Sequence, residues 1–362
     1  MTTTATNTVT APALLTAADE AAAVELLHEL GCTDGLPVIV PTAERVERMV
    51  LATGLDGDLV LGSMGPNLGA CRVDALAAAA VMAGCLPDHA PIVVAAARAI
   101  MDPAFDLTEM QATTHSTTPL IIVNGPAAQW CGIASGYGAL GPGFRANASI
   151  GRALRLAMIN IGGGRAGVSD MALLGTPAKF TCCVAEDEGA SPFAPLHARR
   201  GFAAEESTVT VIGTDGPHSV IGVTDGDDPT SADRLLTSLA AAFANAATNN
   251  MVLRNGQAAL ALNPDHAQAL ADAGFDAVGV AEAIAERAVM SGADLARTAA
   301  MGRLLPERSY RCFRSPEDLL VFVAGGGGLY STAFPSWCAG PSANRAVTVA
   351  VDIGQACEIP GV

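Results

Sequence analysis

Lysine is nearly absent from this sequence of 362 residues: Lys179 is the only one, and no run of basic residues occurs. Asp and Glu number 36 against 20 Lys and Arg, so the formal net charge at pH 7 is −16. A nucleic acid backbone or an anionic membrane surface attracts clustered positive charge. The composition therefore predicts that neither is a partner.

Long uninterrupted apolar runs are also missing, although half of the residues are hydrophobic. Gly, Pro or a charged residue breaks each run before the roughly 18 residues that a membrane helix needs. Residues 1–16 have neither the basic start nor the apolar core of a signal peptide. We therefore expect a soluble, cytoplasmic protein with a disordered lead over residues 1–16. Alanine-rich helices with flat apolar faces favour a homo-oligomer, in particular a dimer.

The nine cysteines form no CxxC pair and no zinc-ribbon spacing, so reduced thiols are expected. Cys85 follows a predicted helix and stands just before Pro87. A thiol at the end of an element can be partly exposed, as reactivity requires, which makes Cys85 the candidate nucleophile. The alternative is a buried structural cysteine. The sequence identifies no cofactor and leaves open whether a metal is bound.

Short apolar segments alternate with helical patterns along the chain. This order predicts an α/β fold with mixed or partly parallel sheets and flanking helices. The acidic turn between Gly222 and Pro229 predicts a boundary between two α/β domains, at 17–225 and 230–362. The strands are predicted at 119–123, 179–185, 209–212, 219–223, 258–262 and 319–324.

The stretch from 107 to 164 predicts a binding site. Its strand ends at Asn124, a candidate substrate-binding residue, and a glycine-punctuated loop follows. A helix is expected to begin at Asn147, a good N-cap residue. Free N–H groups of the first turn, together with Arg145, Arg152 and Arg155, favour an anion such as a carboxylate or phosphate. Arg155, one turn further on, is expected to matter less to the ligand. Alternatively, these arginines pair with the many carboxylates of this acidic chain.

Two further features of the sequence suggest acid–base chemistry. His115 lies in a run of threonines and serines beside the glycine loop, which suits a general acid or base. Metal ligation and a structural role are the alternatives. Glu186 and Glu188 end a predicted strand that starts at Lys179, and alternation along an extended chain puts both glutamates on one side. Two carboxylates in one pocket raise one pKa, whereas a solvated turn is the plainer interpretation.

Four glycines, 325–328, directly follow the last predicted strand. They do not form a dinucleotide-binding fingerprint, because Tyr330 occupies the sixth position and a poor helix start follows. A ligand bound by this loop would contact Tyr330 and Ser331. The alternative is a tight crossing of two backbone segments.

Five long strings of the sequence are CTDGLPVIVPTAERV, VMAGCLPD, QATTHSTTPLIIVNGP, GYGALGPGFRANASIGRALRL and KFTCCVAEDEGASPFAPLHARRGF. Together they resemble a family of bacterial proteins related to, or encoded near, the UGSC-type selenoproteins, named for a Sec-Gly-Ser-Cys motif. The resemblance covers about residues 25–350. It implies little about activity beyond a likeness of some relatives to selenocysteine reductases of glycine or betaine. This chain has no Ser-Cys or CxxC pair, and it has Leu329 and Tyr330 where the family carries a basic residue and a histidine.

Three functional hypotheses follow from these patterns. The first is a lyase or hydrolase for a small anionic metabolite, with Glu186 and His115 moving protons and Lys179 in the catalytic set. The second is a thiol-dependent reductase that uses Cys85. The third is a noncatalytic protein that binds a small ligand.

Overall fold

The computed structural model describes residues 12–298, 304–337 and 344–352. Residues 1–11 of the predicted disordered lead lie outside this range, and residues 12–16 are exposed without regular structure. The helices are α1 (Glu20–Glu29), α2 (Ala43–Thr53), α3 (Val73–Ala83), α4 (Ala90–Met101), α5 (Leu107–Ala112), α6 (Pro126–Trp130), α7 (Arg145–Asn160), α8 (Leu196–Arg199), α9 (Ser231–Phe243), α10 (Asn249–Leu253), α11 (Pro264–Asp272), α12 (Ala277–Arg287) and α13 (Gly292–Thr298).

The strands of the described residues are β1 (Val60–Met64), β2 (Gly69–Arg72), β3 (Thr118–Asn124), β4 (Cys183–Ala185), β5 (Thr208–Thr214), β6 (His218–Ile221), β7 (Ala258–Leu262), β8 (Val289–Ser291), β9 (Ser309–Arg311), β10 (Leu319–Val323), β11 (Tyr330–Phe334) and β12 (Val347–Ala350). Most of them belong to two four-stranded sheets, ordered β12-β5-β3-β4 and β10-β7-β11-β6, and the rest form two antiparallel two-stranded sheets, β1-β2 and β8-β9.

The first sheet contains the central strand β3, all of whose residues are buried. β3 runs parallel to β4 and antiparallel to β5, which in turn pairs with β12. A continuous apolar run of this kind is typical of a strand covered on both faces. Buried residues of α3, α4 and α7 belong to the apolar cluster on one face of this sheet.

The second sheet has the same mixture of pairings. β7 is parallel to β10 and antiparallel to β11, which pairs with β6. Buried residues of α9 and α12 belong to its own apolar cluster. A third cluster joins Leu120 and Ile122 of β3 with Ala261 of β7 and Phe322 of β10, so the two sheets pack against each other. The predicted α/β fold with mixed sheets and flanking helices is confirmed.

The sheets do not follow the predicted boundary between residues 225 and 230. β6 precedes this boundary but pairs with β11 in the second sheet, and β12 follows it but pairs with β5 in the first. The acidic turn is a loop ahead of α9, in which Asp228 pairs with Arg234. Each of the two sheets therefore contains strands from both sides of the predicted boundary.

No helix in the described part of the chain combines the length and the apolar character that crossing a membrane would require.

Candidate functional site

The two predicted proton-transfer residues lie at opposite ends of β3. His115 precedes the amino end of this strand, and Glu186 follows β4, which is parallel to β3, at the carboxyl end. A strand of this length spans about 20 Å. The prediction that His115 and Glu186 act together on one small substrate is therefore corrected: each belongs to a separate polar group.

A cavity opens at the amino end of β3. Its enclosed part has a volume of about 10 Å³, the room of about one water molecule, and the wider space of about 180 Å³ includes open solvent, so a ligand would lie mainly in the mouth. α7 approaches the chain beside it closely at Gly151, where a Cβ atom would lie 2.3 Å from Thr181 Oγ1 and 2.9 Å from the Cys182 nitrogen. A side chain at this position would push α7 away and open the cavity. The lining residues are Thr118, Pro119, Gly151, Leu154, Arg155, Met158, Ala178, Lys179, Thr181 and Cys182.

Arg155 of α7 is the most deeply buried charge in this lining, with 7% of its surface exposed. Its Nε donates to the Lys179 carbonyl (2.7 Å) and its Nη1 to Gln111 Oε1 (3.3 Å). In the described part of the chain, Nη2 of Arg155 and Nε2 of Gln111 are both buried without a hydrogen-bond partner. Buried donors nearly always have a partner. Of these two residues only Arg155 lines the cavity, and its unpartnered donor is suited to a small oxyanion.

Lys179 brings the second positive charge to the cavity. The structure places it in a 3₁₀ turn, Pro177–Lys179, and not in the predicted strand, which begins only at Cys183. Its Nζ lies 2.7 Å from both carboxylate oxygens of Asp170. Burial lowers the pKa of Lys179, the positive charge of Arg155 lowers it further, and Asp170 acts in the opposite direction. The neutral amine is thereby made more accessible than in an exposed lysine.

His115 lies in the loop that leads into the same end of β3. Its Nε2 is 3.4 Å from Asp215 Oδ2, and its Nδ1 is buried and has no partner within the residues that the structure describes. In the neutral tautomer whose Nε2 carries the proton and faces Asp215, Nδ1 is an acceptor. A general base requires this arrangement. The Gly175 nitrogen donates to Ser116 Oγ (3.1 Å) and thereby ties this loop to the segment that carries Lys179.

At the carboxyl end of β3, Asn124 holds both predicted glutamates. Its Nδ2 donates to Glu186 Oε2 (2.6 Å) and to Glu188 Oε1 (2.9 Å). The Leu196 nitrogen also donates to Glu186, and the Gly125 nitrogen to Glu188. Burial raises the pKa of Glu186, against these hydrogen bonds, which lower it. Glu186 and Glu188 thus lie on the same side of the chain, as expected from the sequence. Both accept from the side-chain amide of Asn124, which is fully buried.

The three residues predicted to bind an anion have partners within the fold. α7 begins at Arg145, so Asn147 lies inside the helix and is not its N-cap. The Asn147 side chain is buried and bonds to the backbone of Ala134 and Cys183. Arg145 donates to the Gly84 carbonyl (3.0 Å).

Arg152, the third predicted anion ligand, forms a bidentate pair with Asp34. Its Nε and Nη2 each lie 2.8 Å from an oxygen of this carboxylate, and Nη2 also donates to the Pro37 carbonyl. Arg152 therefore matches the alternative stated for these arginines, which was pairing with a carboxylate of this acidic chain instead of binding an anion.

The glycine run 325–328 is a close crossing of backbone and side chain. A Cβ atom at Gly326 would lie 2.0 Å from the ring of Tyr137, which comes from the first glycine loop. β11 begins at Tyr330, whose side chain is exposed. Ser331 is buried and its Oγ lies 2.8 Å from Nδ1 of His266. Of the two alternatives, the geometry matches the tight crossing.

The expectation that Cys85 is partly exposed is wrong. Only 8% of its surface is exposed, and burial raises its thiol pKa to about 12, against small opposite effects of Ser149 and Arg145. Cys85 comes directly after the αL residue Gly84, which ends α3 and turns the chain back toward the core. At neutral pH this thiol is protonated and shielded, so it is a poor nucleophile.

We therefore expect iodoacetamide to leave Cys85 unmodified in the folded protein at neutral pH. Peptide mapping after brief labelling should find Cys85 modified only when denaturant is present during the reaction. Cys32, which is less buried, serves as the internal control for access of the reagent. Rapid labelling of Cys85 in the folded state would restore the thiol-dependent hypothesis.

The sequence did not single out Gln111, Asp170 or Asp215, and it rated Arg155 below Arg152. Arg155 immediately follows Leu154, which lies on the apolar face of α7. This position next to the apolar face is the feature of the sequence that could have indicated that Arg155 is buried. Within the described residues, no group of three or more His, Cys, Asp or Glu side chains is arranged to hold a metal ion.

Searches against protein-family models, curated proteins and solved structures found no match to this chain. The resemblance to the UGSC-type proteins stays a prediction.

Proposed function

We propose that this protein is an enzyme for a small anionic metabolite and that the cavity at the amino end of β3 is its active site. One observation carries the proposal: Nη2 of Arg155, in a side chain 7% exposed, has no acceptor among the described residues although it belongs to a residue that lines the cavity. Leaving such a donor without a partner costs about 1 to 3 kcal/mol. A bound carboxylate or phosphate would recover this energy.

The charges at the cavity suit an anion. Arg155 and protonated Lys179 carry two positive charges, and Asp170 carries one negative charge, which leaves a net charge of about +1. Because the chain as a whole is strongly acidic, this local excess distinguishes the cavity from its surroundings. A monoanionic group bound there would neutralise it.

The neighbouring side chains support acid–base chemistry of the lyase or hydrolase type. Lys179 lines the cavity, and its lowered pKa brings proton exchange closer to neutral pH. His115, with Asp215 at its Nε2, is the candidate general base in the adjoining loop. Glu186 is assigned no part in this site, because it lies at the other end of β3.

The other functional hypotheses receive less support. The burial of Cys85 argues against the thiol-dependent reductase. A noncatalytic binding protein would need the anion pocket but not the basic side chains beside it. A cytoplasmic location and a homodimer remain part of the proposal on the grounds of composition.

Three arginines of α7 provide the test. We expect Arg155→Met to weaken anion binding, or to lower kcat/KM for the substrate, by about tenfold to a hundredfold, because it removes a charge-assisted hydrogen bond. Arg145→Met and Arg152→Met should bind like the wild type, since their partners lie elsewhere. Calorimetric titration with inorganic phosphate and with pyruvate measures the binding.

Circular dichroism of all three variants checks that the fold is retained. Normal binding by Arg155→Met, together with a loss in Arg145→Met or Arg152→Met, would move the site to the glycine loop as the sequence first indicated. Binding without turnover of any compound in a broad metabolite panel would favour the noncatalytic hypothesis.

A further inference from the structure

The single lysine of this chain lies in the cavity just described. The chain carries 20 cationic Lys and Arg residues, and 19 of these are arginine (20 − 1). Arginine cannot act as an amine nucleophile, because its guanidinium stays protonated. The one side chain of the protein that could form a carbon–nitrogen double bond through an ε-amine is therefore beside Arg155, at a solvent-connected opening.

We propose that Lys179 forms an imine with a small carbonyl compound that also carries a carboxylate, such as a 2-oxo acid, and that Arg155 binds the carboxylate. This inference rests on the proposed function of the same cavity and names its substrate class.

The contacts place the two cations next to each other. Arg155 Nε donates to the Lys179 backbone carbonyl (2.7 Å), and Asp170 lies between the charged groups, 2.7 Å from Lys179 Nζ and 3.7 Å from Arg155 Nη1. The carboxylate and the carbonyl carbon of a 2-oxo acid are adjacent atoms. A ligand of this kind, held by the guanidinium, can present its carbonyl to the amine of Lys179.

The surroundings of Lys179 favour the amine form that the reaction needs. Leu154, Met158 and Pro119 supply apolar lining, and Arg155 adds a neighbouring positive charge. Enzymes activate lysine nucleophiles in these two ways, by an apolar pocket and by a nearby cation. Burial is the larger cause of the lowered pKa of Lys179, and the charge of Arg155 is a smaller one.

Asp170 can carry the proton through the reaction. It accepts one proton from the Lys179 ammonium, and the freed nitrogen lone pair attacks the carbonyl carbon while the C=O π bond breaks. A proton moves from nitrogen to the new alkoxide, giving a carbinolamine. Asp170 then returns its proton to the hydroxyl group, the C–O bond breaks, and water leaves as the C=N bond forms.

The balance of this step is one ammonium and one carbonyl giving one iminium and one water, with Asp170 unchanged and no oxidant or reductant consumed. The iminium accepts electrons from an adjacent C–C or C–H bond. An imine intermediate therefore favours the lyase reaction, in which such a bond is broken without water, over the hydrolase reaction.

Reductive trapping tests the inference. The full chain is incubated with pyruvate, reduced with sodium borohydride, and examined by intact mass measurement and peptide mapping. Lys179 carries the only ε-amine, so an adduct can form only there or at the N-terminus, and mapping separates the two. We expect near-stoichiometric trapping at Lys179 and none at this position in Lys179→Met or Lys179→Arg.

Hydroxyacetone, a ketone of similar size without a carboxylate, is the matched control. Arg155→Met should raise the pyruvate concentration needed for half-maximal trapping by about tenfold to a hundredfold. Trapping by hydroxyacetone should fall by a smaller factor, because this ketone loses only the activation of Lys179 by the neighbouring charge and no carboxylate contact. Equal loss for both ketones would show that Arg155 does not read the carboxylate, and this result would overturn the assigned substrate class.

The two proposals fail in different ways. If pyruvate and phosphate bind and Arg155→Met weakens them, but no 2-oxo acid or aldehyde is trapped on wild-type Lys179, the imine is wrong and the anion site stands. If Arg155→Met leaves binding of both anions unchanged, the proposed function itself is wrong. The trapping experiment on the wild type does not depend on whether any variant folds.

Discussion

Asn147→Ala is expected to lower the free energy of unfolding by about 3 to 5 kcal/mol. The Asn147 amide is buried and fills three backbone hydrogen bonds: it accepts from the Ala134 nitrogen and donates to the carbonyls of Ala134 and Cys183. Removing the amide leaves the Ala134 nitrogen without its acceptor, at about 1 to 3 kcal/mol, and takes one hydrogen bond, worth about 1 kcal/mol, from each of the two carbonyls. The Ala134 carbonyl still accepts from the Ala185 nitrogen. Urea denaturation followed by circular dichroism measures the change.

The matched control lies on the same helix. Asn160 makes one hydrogen bond, to the Cys32 carbonyl, at an exposed position. We expect Asn160→Ala to cost no more than about 1 kcal/mol, the usual net value of one hydrogen bond. If Asn147→Ala kept its stability and lost anion affinity instead, the anion ligand predicted from the sequence would be restored.

Asn147 illustrates which parts of the fold the sequence could predict. The pattern of α7 was read correctly as a helix, because Ile150, Leu154 and Met158 repeat at helical spacing and all are buried. Its N-cap was misplaced by three residues, at Asn147 instead of Phe144, because asparagine is a favoured N-cap residue. The competing role of Asn147, three hydrogen bonds to a loop and a strand, depends on contacts that no local pattern contains.

The arrangement of the sheets follows the same division. β3 was predicted to within a residue or two of its observed ends, since its apolar run is continuous and ends at a turn signal. The exchange of β6 and β12 between the predicted halves was not predicted. β6 pairs with β11 and β12 pairs with β5, and in both pairs the partners are far apart in the sequence and on opposite sides of the expected boundary. Such pairings are set by long-range packing.

In the candidate site, too, some residues could be predicted from the sequence and others could not. Lys179 and His115 could be singled out from the sequence, one as the only lysine and the other by its hydroxyl neighbours. Arg155 was underrated, because its importance depends on Gln111 and Asp170, which come from other segments and leave one guanidinium nitrogen without a partner. Which buried charge keeps a free donor is decided by the whole fold.

Asp170→Asn is expected to destabilise the protein by about 3 to 5 kcal/mol at neutral pH, because it removes the carboxylate that neutralises Lys179 and lies near Arg155. Both cations stay buried in the variant. The loss should also depend on pH. Burial lowers the pKa of Lys179 in the folded state, so the unfolded chain binds more protons in the interval up to about pH 10, and stability rises with pH there.

Asp170 raises the pKa of Lys179, so its removal lowers that pKa further and widens this interval toward lower pH. The variant should therefore be weakest at acidic to neutral pH and regain stability as the pH rises and Lys179 loses its proton. Inorganic phosphate should stabilise Asp170→Asn more than the wild type, because it replaces the lost negative charge in the cavity. Urea denaturation across this pH range, with and without phosphate, measures both effects.

Asp318→Asn is the matched control, because it removes the carboxylate of a second partly buried ion pair, with Arg345, whose charge is not among those that act on Arg155 or Lys179. It should also lose stability, but it should gain nothing from phosphate beyond the wild-type response and should show no recovery with rising pH, since arginine does not titrate in this range. If phosphate stabilised both variants equally, the excess positive charge at the cavity would not be what binds the anion. A specific response of Asp170→Asn alone would tie the charge balance of Arg155, Lys179 and Asp170 directly to ligand binding.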